Sequence, residues 1–256
     1  MSRYERWNAI LELLAAEGRL SVEQAAQSLE VSTATIRRDF DQLAQQQLLM
    51  RTRGGAVTQS VSYDLPLRYK TARHAGEKQR IAAAAAQLVE QGTVVGMNGG
   101  TTTSEVARAL ATVAEPEIGF TIVTNALNIA AELTVRQHVK IVVTGGVARP
   151  QSYELIGPLA SGVLEQIGID IAFLGVDALD VEAGATAHHE GEASVNSLLI
   201  GRAARVVVVA DSSKVGRRAF ARICPIGEID TLVTDDGLPD EEAARLTEAG
   251  VTVIRA

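Results

Sequence analysis

Near the N-terminus, Ser32-Thr33-Ala34-Thr35-Ile36-Arg37-Arg38-Asp39 combines short hydroxyl side chains with two adjacent arginines. On the first turns of a helix, that set suits a DNA major groove. Ser32, Thr33, Ala34 and Thr35 are small enough for close approach, and Arg37 and Arg38 carry donors for phosphates or guanine edges. Ile36 and Phe40 would turn inward. The bland alternative is a solvated helix whose arginines pair with Asp39 and Asp41. A basic, glycine-bearing turn, Arg51-Thr52-Arg53-Gly54-Gly55, follows and adds Arg51, Arg53 and Gly54 to the candidate DNA-binding set.

A second chemistry is written in three turns, each at the C-terminal end of an expected strand. Asn98-Gly99-Gly100-Thr101-Thr102-Thr103-Ser104 leads into a helix. Its glycines let the backbone approach an anion, helix N–H groups point at that anion, and the hydroxyls add donors. Thr144-Gly145-Gly146 ends another strand, where open α/β sheets place ligands. Asp211-Ser212-Ser213-Lys214 ends a third, and Lys214 supplies positive charge. Each turn alone has a purely structural explanation; three within one domain point to a phosphate-bearing ligand. His188-His189 invites a metal reading, but adjacent side chains on an extended chain point to opposite faces, and no further His/Cys constellation joins them. No metal or cofactor is expected.

The elements that position these groups follow from periodicity. Tyr4, Trp7, Ile10, Leu11 and Leu14 recur at helical spacing, and Gly18 is a stop. Ser21 with Gln24 makes a capping box for a second helix, and Ser32 or Thr33 caps a third. Leu48-Leu49-Met50 reads as a short strand before the basic turn. Three helices and a small hairpin make a winged helix-turn-helix over residues 1–57. Residues 58–76, with Ser60, Ser62, Asp64 and Pro66, read as a linker. From 77 to 256, Val/Ile-rich strands alternate with helices, which implies an open, mostly parallel α/β sheet.

With 256 residues, the chain suits one large or two ordinary domains, and 46% hydrophobic content can fill real cores. The net charge of −7 argues against a nucleic-acid partner until its distribution is considered. Residues 1–80 hold 12 Lys/Arg against 9 Asp/Glu, whereas the remainder holds 12 against 22. A single cysteine, Cys224, forms no disulfide within the chain. No apolar run approaches the roughly eighteen residues that span a bilayer, and the N-terminus has no signal-peptide core. A soluble, cytoplasmic protein is expected, with no membrane partner.

Val31 to Asp39 and Arg53-Gly54-Gly55-Ala56 closely resemble the DeoR family of bacterial sugar-metabolism regulators. The resemblance continues through Glu77-Lys78-Gln79-Arg80-Ile81-Ala82, Gly100-Thr101-Thr102-Thr103, Thr124-Asn125, Thr144-Gly145-Gly146, Ala172-Phe173-Leu174-Gly175, Asp211-Ser212-Ser213-Lys214 and Thr234-Asp235. It implies a winged helix joined to a sensor resembling sugar-phosphate isomerases and CoA transferases. It also implies that a phosphorylated metabolite controls binding to double-stranded operator DNA. Gly175-Val176-Asp177-Ala178-Leu179-Asp180 resembles the acidic loop of pentose-phosphate isomerases, so Asp177 or Asp180 would meet sugar hydroxyls; an Asp-rich turn satisfied by backbone amides is the alternative. Glu190 would begin a helix near the sugar. Three positions depart from the family: Asn98-Gly99 stand where Asp-Ser is common, and Asn196 where lysine is common. These changes of polarity imply a different ligand or a weaker response.

The expectation is therefore a transcriptional regulator, repressor rather than activator, that acts as a homo-oligomer on repeated half-sites. An active sugar-phosphate isomerase or transferase with an appended DNA module is the rival, with Asp177 as base and Lys214 as electrostatic stabiliser. It lacks the glycine-rich lysine loop that such isomerases pair with the acidic loop. A metabolite-binding protein without regulation would leave the arginine-bearing helix and wing unexplained.

Overall fold

Serine side chains set the helix starts of the N-terminal unit. Ser2 Oγ accepts from Glu5 N at 3.3 Å and Ser21 Oγ from Gln24 N at 3.1 Å, each completing a capping box. Ser32 Oγ accepts from Thr35 N at 3.2 Å. These caps open α1 (Arg3–Glu17); then, after β1 (Arg19–Ser21), α2 (Val22–Ser28); and α3 (Thr33–Gln45). Gly18, in the left-handed region at φ 72°, ends α1. The wing strands β2 (Met50–Thr52) and β3 (Gly55–Val57) follow, and β1 joins them in an antiparallel sheet of order β1-β3-β2. At Gly55 a side chain would run into the Leu20 carbonyl of β1.

The computed structural model describes residues 1–46, 48–57, 67–70, 74–115 and 117–256, with the side chains of Tyr4, Glu12, Ala15, Ala16, Arg68 and Tyr69 also outside the description. Most of the expected linker, including Ser60, Ser62, Asp64, Pro66 and Arg73, lies outside the described residues. The chain divides into two compact units, Met1–Lys70 and Thr71–Ala256. In the first, the expected strand at Leu48–Met50 begins only at Met50. Leu48 and Leu49 are both buried in the helical core, a placement that two successive residues of a half-exposed strand cannot share. β1 was not expected; three residues with one buried side chain, Leu20, give no readable alternation.

That core joins Trp7, Ile10, Leu11 and Leu14 of α1 to Ile36, Phe40 and Leu43 of α3. Asp39 is buried among them. Its Oδ2 accepts from Arg6 Nε at 2.5 Å, and its Oδ1 accepts from Arg6 Nη2 at 3.1 Å and Trp7 Nε1 at 2.8 Å. These three bonds fix the rotation of α3 against α1, and hence which face α3 presents outward.

After the short helix α4 (Leu67–Lys70), the chain alternates as α5 (Ala75–Ala86), β4 (Val94–Met97), α6 (Thr101–Val113), β5 (Phe120–Thr124), α7 (Leu127–Leu133) and β6 (Val139–Val143). A small hairpin, β7 (Val147–Ala148) with β8 (Leu155–Ile156), leads to α8 (Ser161–Leu164) and β9 (Ile169–Leu174). Next come β10 (Ala178–Asp180), β11 (Gly184–Ala187), α9 (Glu190–Ile200), β12 (Ala203–Val209) and β13 (Ala221–Cys224). The chain closes with β14 (Thr231–Thr234), α10 (Asp240–Glu248) and β15 (Thr252–Arg255). Seven strands pair in parallel in the order β15-β14-β12-β9-β4-β5-β6. Apolar layers that include Ile81, Leu110, Ile122 and Phe173 in one, and Leu164, Leu174, Leu199 and Leu246 in the other, account for its Val/Ile-rich strands. A separate antiparallel sheet has the order β10-β11-β13.

Removing the Asp39 carboxylate leaves the indole N–H and the Arg6 guanidinium without their acceptor. Asp39→Ala is expected to destabilise the N-terminal unit by about 2–4 kcal/mol, and Asp39→Asn by less, because its amide oxygen still accepts one bond. The chain's single tryptophan, Trp7, touches the altered residue, so denaturant unfolding followed by its fluorescence measures the change directly.

Candidate functional site

On α3, Ser32, Thr33, Ala34, Arg37 and Arg38 are exposed, and Thr35 is half-buried with its Oγ1 2.9 Å from Ser32 Oγ. The carboxylates near enough in sequence to neutralise the arginines are taken elsewhere. Asp39 serves α1, and Asp41 Oδ1 lies 2.9 Å from Arg51 Nε. Among the described residues, neither Arg37 nor Arg38 has an ion-pair partner. Arg51 also donates to Gly55 O at 3.0 Å and lies over the Phe40 ring at 5.5 Å. It therefore fastens the wing to α3. Arg53 and Gly54 form the exposed tip, where φ of 91° at Gly54 calls for glycine.

In the larger unit, β4 and β9 are neighbours from which the chain proceeds in opposite directions, to β5 and β6 on one side and to β12, β14 and β15 on the other. The C-terminal ends of β4 and β9 thus flank a topological switch point, where doubly wound sheets bind ligands. Asn98 spans it. Its Nδ2 donates to Gly175 O at 2.9 Å, and its Oδ1 accepts from Gly175 N at 2.7 Å. The side chain expected to meet the ligand is thus committed to joining the strand ends.

Gly100, at φ 147°, leads into α6, which has no side-chain N-cap. Thr103 Oγ1 and Ser104 Oγ both donate back to Gly100 O, at 3.2 and 2.7 Å. No side chain caps the first-turn N–H groups, an arrangement that suits a helix start to an anion. Thr102 is buried in this turn, and its Oγ1 has no hydrogen-bond partner among the described residues. Across the switch point, Lys214 Nζ donates to Val176 O at 2.5 Å, and Asp177 Oδ2 accepts from His188 N at 2.8 Å. The turn, Asp177 and Lys214 therefore gather around the ends of β4, β9 and β12. Asp180 is a turn-former: Glu182 N and Ala183 N donate to its Oδ1 at 3.0 and 2.9 Å, and Arg218 lies 3.0 Å away. Against the opposing effect of burial, these partners hold its carboxyl below the ordinary carboxylate range.

Gly145 and Gly146, at φ 80° and 126°, follow the edge strand β6. They turn the chain into the β7–β8 hairpin, and a Cβ on Gly146 would lie 2.9 Å from Ile156 O. Glu190 opens α9 but is exposed; the buried acid of that helix is Glu192, ion-paired to Arg149 at 2.9 Å.

Sequence reasoning named Asn125 and Asn196 but missed Glu154, with which they form the polar floor of the crevice. Asn125 Nδ2 lies 3.3 Å from both Glu154 Oε2 and Asn196 Oδ1, and the buried Asn125 Oδ1 has no partner among the described residues. Burial first, then the charges of Glu192 and Asp177, push the Glu154 carboxyl up to about 8 against the lowering effect of the Gly99 amide and Asn125. Thr124-Asn125, at the end of a strand, was a readable signal for Asn125. Glu154, the last of the six residues between β7 and β8, carried none. Among the described residues, no helix is long and apolar enough to cross a membrane.

Two family models match the chain. Residues 6–61 match a DeoR-like helix-turn-helix domain, and residues 73–236 match a DeoR C-terminal sensor domain. The chain is 38% identical to the HTH-type transcriptional regulator GlpR of Haloferax volcanii, over 98% of this chain and 96% of that protein. It is 32% identical to the glycerol-3-phosphate regulon repressor of Escherichia coli K12, over 97% of each. Ribose 5-phosphate isomerase A of Methanocaldococcus jannaschii is a partial structural neighbour, with a TM-score of 0.41 and 19% identity over 56% of this chain and 55% of that one.

At Gly99 a Cβ would lie 2.5 Å from Glu154 Cγ and 2.6 Å from its Oε1. Gly99→Ala is expected to cost about 1–3 kcal/mol through this overlap, in the range for overpacking a filled interior. The double variant Gly99→Ala/Glu154→Ala should recover part of the loss, giving a coupling measurable in a thermal-unfolding double-mutant cycle.

Proposed function

The chain belongs to the DeoR family of transcriptional regulators, and from that premise we propose that it is a repressor of sugar or related carbon-metabolism genes, released from its operator by a phosphorylated metabolite. The observation that carries this reading is the pair Arg37 and Arg38, exposed on the outward face of α3 and without ion-pair partners among the described residues, in a chain whose second unit offers an uncapped, glycine-led helix start. We assign operator binding to residues 1–57, effector binding to 77–256 and the connection to 58–76. Ser32, Thr33, Ala34, Thr35, Arg37, Arg38, Arg53 and Gly54 face DNA, while Arg51 holds the wing in place. The Gly99–Thr103 turn and Lys214 take the phosphate, and Asp177 takes a sugar hydroxyl.

A relative named for the glycerol-3-phosphate regulon supports a phosphorylated effector. Binding rather than catalysis suits Asp177 and Lys214, since both already engage the backbone at His188 and Val176. An effector that prefers one sensor conformation shifts the population away from the form whose recognition helices fit DNA. One winged helix covers one half-site, so a symmetric oligomer acting in the cytoplasm completes the picture.

Arg37→Ala/Arg38→Ala should weaken operator binding, and each arginine that no longer meets a phosphate should flatten the salt slope by about one unit. Gel shifts at several salt concentrations, on protein shown folded by circular dichroism, read both effects; unchanged affinity would remove α3 from the interface. Lys214→Met protein should still bind operator but need roughly tenfold to a hundredfold more effector for release, the worth of one charge-assisted hydrogen bond. Titration of the protein–operator complex with phosphorylated sugars tests this, and equal midpoints for mutant and wild type would place the phosphate elsewhere.

A further inference from the structure

The β7–β8 hairpin carries Glu154 into the space that Gly99 leaves empty, where it packs directly on the middle of the β4–α6 turn. Its side chain is buried, and charged groups face it from the neighbouring elements. Glu192 approaches from α9 and Asp177 from the end of β9; on its own hairpin, Arg149 pairs with Glu192. The β4–α6 turn contributes the Gly99 amide, and the β5–α7 connection contributes Asn125. One residue beyond Gly99 begins the uncapped start of α6, with the buried Thr102 hydroxyl, unpartnered among the described residues, in its first turn. An anion seated there is next to the Glu154 carboxyl group, while the Arg149 guanidinium donates to Glu192.

Building on the reading of this turn as the effector's phosphate site, we propose that Glu154 is its specificity-determining residue: the turn holds an anion while Glu154 is protonated and repels it once Glu154 is ionised. Burial and the neighbouring acids place the ionisation of Glu154 at about 8. Below that value the carboxyl group is neutral and leaves the helix start favourable for negative charge. Above it a second negative charge stands beside the ligand in a poorly solvated pocket. Affinity is therefore high at neutral pH and lost as pH rises, and an anion bound above about pH 8 takes up one proton, which goes to Glu154. The device discriminates by charge: a dianion is more strongly affected than a monoanion, and an uncharged sugar hardly at all.

The test is calorimetric titration of the full chain with sodium sulfate, which stays dianionic across the range, at constant ionic strength from pH 7 to 9.5. The wild type should lose at least about tenfold in sulfate affinity across that range, and buffers of different ionisation enthalpy should reveal proton uptake near pH 9. Glu154→Gln, a neutral and nearly isosteric replacement, should bind sulfate at pH 7 as the wild type does, with a flat profile and no proton uptake. A flat wild-type profile overturns the proposal without any variant. An equal loss in Glu154→Gln also overturns it, assigning the titration to another group such as Lys214. If neither protein binds sulfate at pH 7, the phosphate-site reading itself fails and the proposal falls with it.

Discussion

The ends of β4 and β9 are tied together by one amide side chain, and the geometry of the sensor crevice depends on that tie. Asn98 both donates to and accepts from the Gly175 backbone, so the two peptide groups at the switch point are satisfied by a single residue. A carboxylate at this position accepts but cannot donate, and would face the Gly175 carbonyl with like charge. With the strand ends fixed, Gly99 is held where Glu154 packs on it, and α6 starts with no side-chain cap among the described residues. Val176 and Asp177, just beyond Gly175, are in turn placed to receive Lys214 and the His188 amide. Two of the three departures noted in the sequence, Asn98 and Gly99, are thus parts of one local solution.

The N-terminal unit solves a related problem of where to direct charge. For α3 to face a polyanion as proposed, its arginines must be kept from being neutralised by nearby acids. Asp39 and Asp41 lie within four residues of Arg37 and Arg38 in sequence, yet Asp39 is turned inward to Arg6 and Trp7, and Asp41 is occupied by Arg51 of the wing. Each acid fastens a neighbouring element to α3 and so stiffens the helix while leaving its outer face positive. The acidic excess of the chain is confined to the residues beyond position 80, which limits its cost to association with DNA.

Much of this was legible because it is local. Capping at Ser21 and Ser32 and the 3.6-residue periodicity of α1 and α3 are written in consecutive residues, as is the strand–turn–helix pattern at Asn98–Ser104. The buried Val/Ile runs of the parallel sheet, such as Val206–Val209 in β12, announced themselves in the same way. What stayed hidden depends on distant partners. Strands β7, β8 and β10 are two or three residues long and acquire their identity only from pairing. Glu154 takes its environment from Gly99, Asn125 and Glu192, which lie between 29 and 55 residues away in the chain. Arg51 was one more candidate for DNA contact, and nothing in the sequence tells that Asp41 and Phe40 also engage it.

The central claim is that DNA binding in one unit answers to a phosphorylated ligand in the other. It is tested most directly by fluorescence anisotropy on a labelled duplex that the purified protein has selected from a random pool. The complex is challenged in parallel with phosphorylated sugars and with the same sugars lacking phosphate. Release by at least one phosphorylated compound, with no release by its unphosphorylated counterpart at equal concentration, is the predicted result. Selection of no duplex above background, or a complex equally indifferent to both sets of compounds, would contradict it.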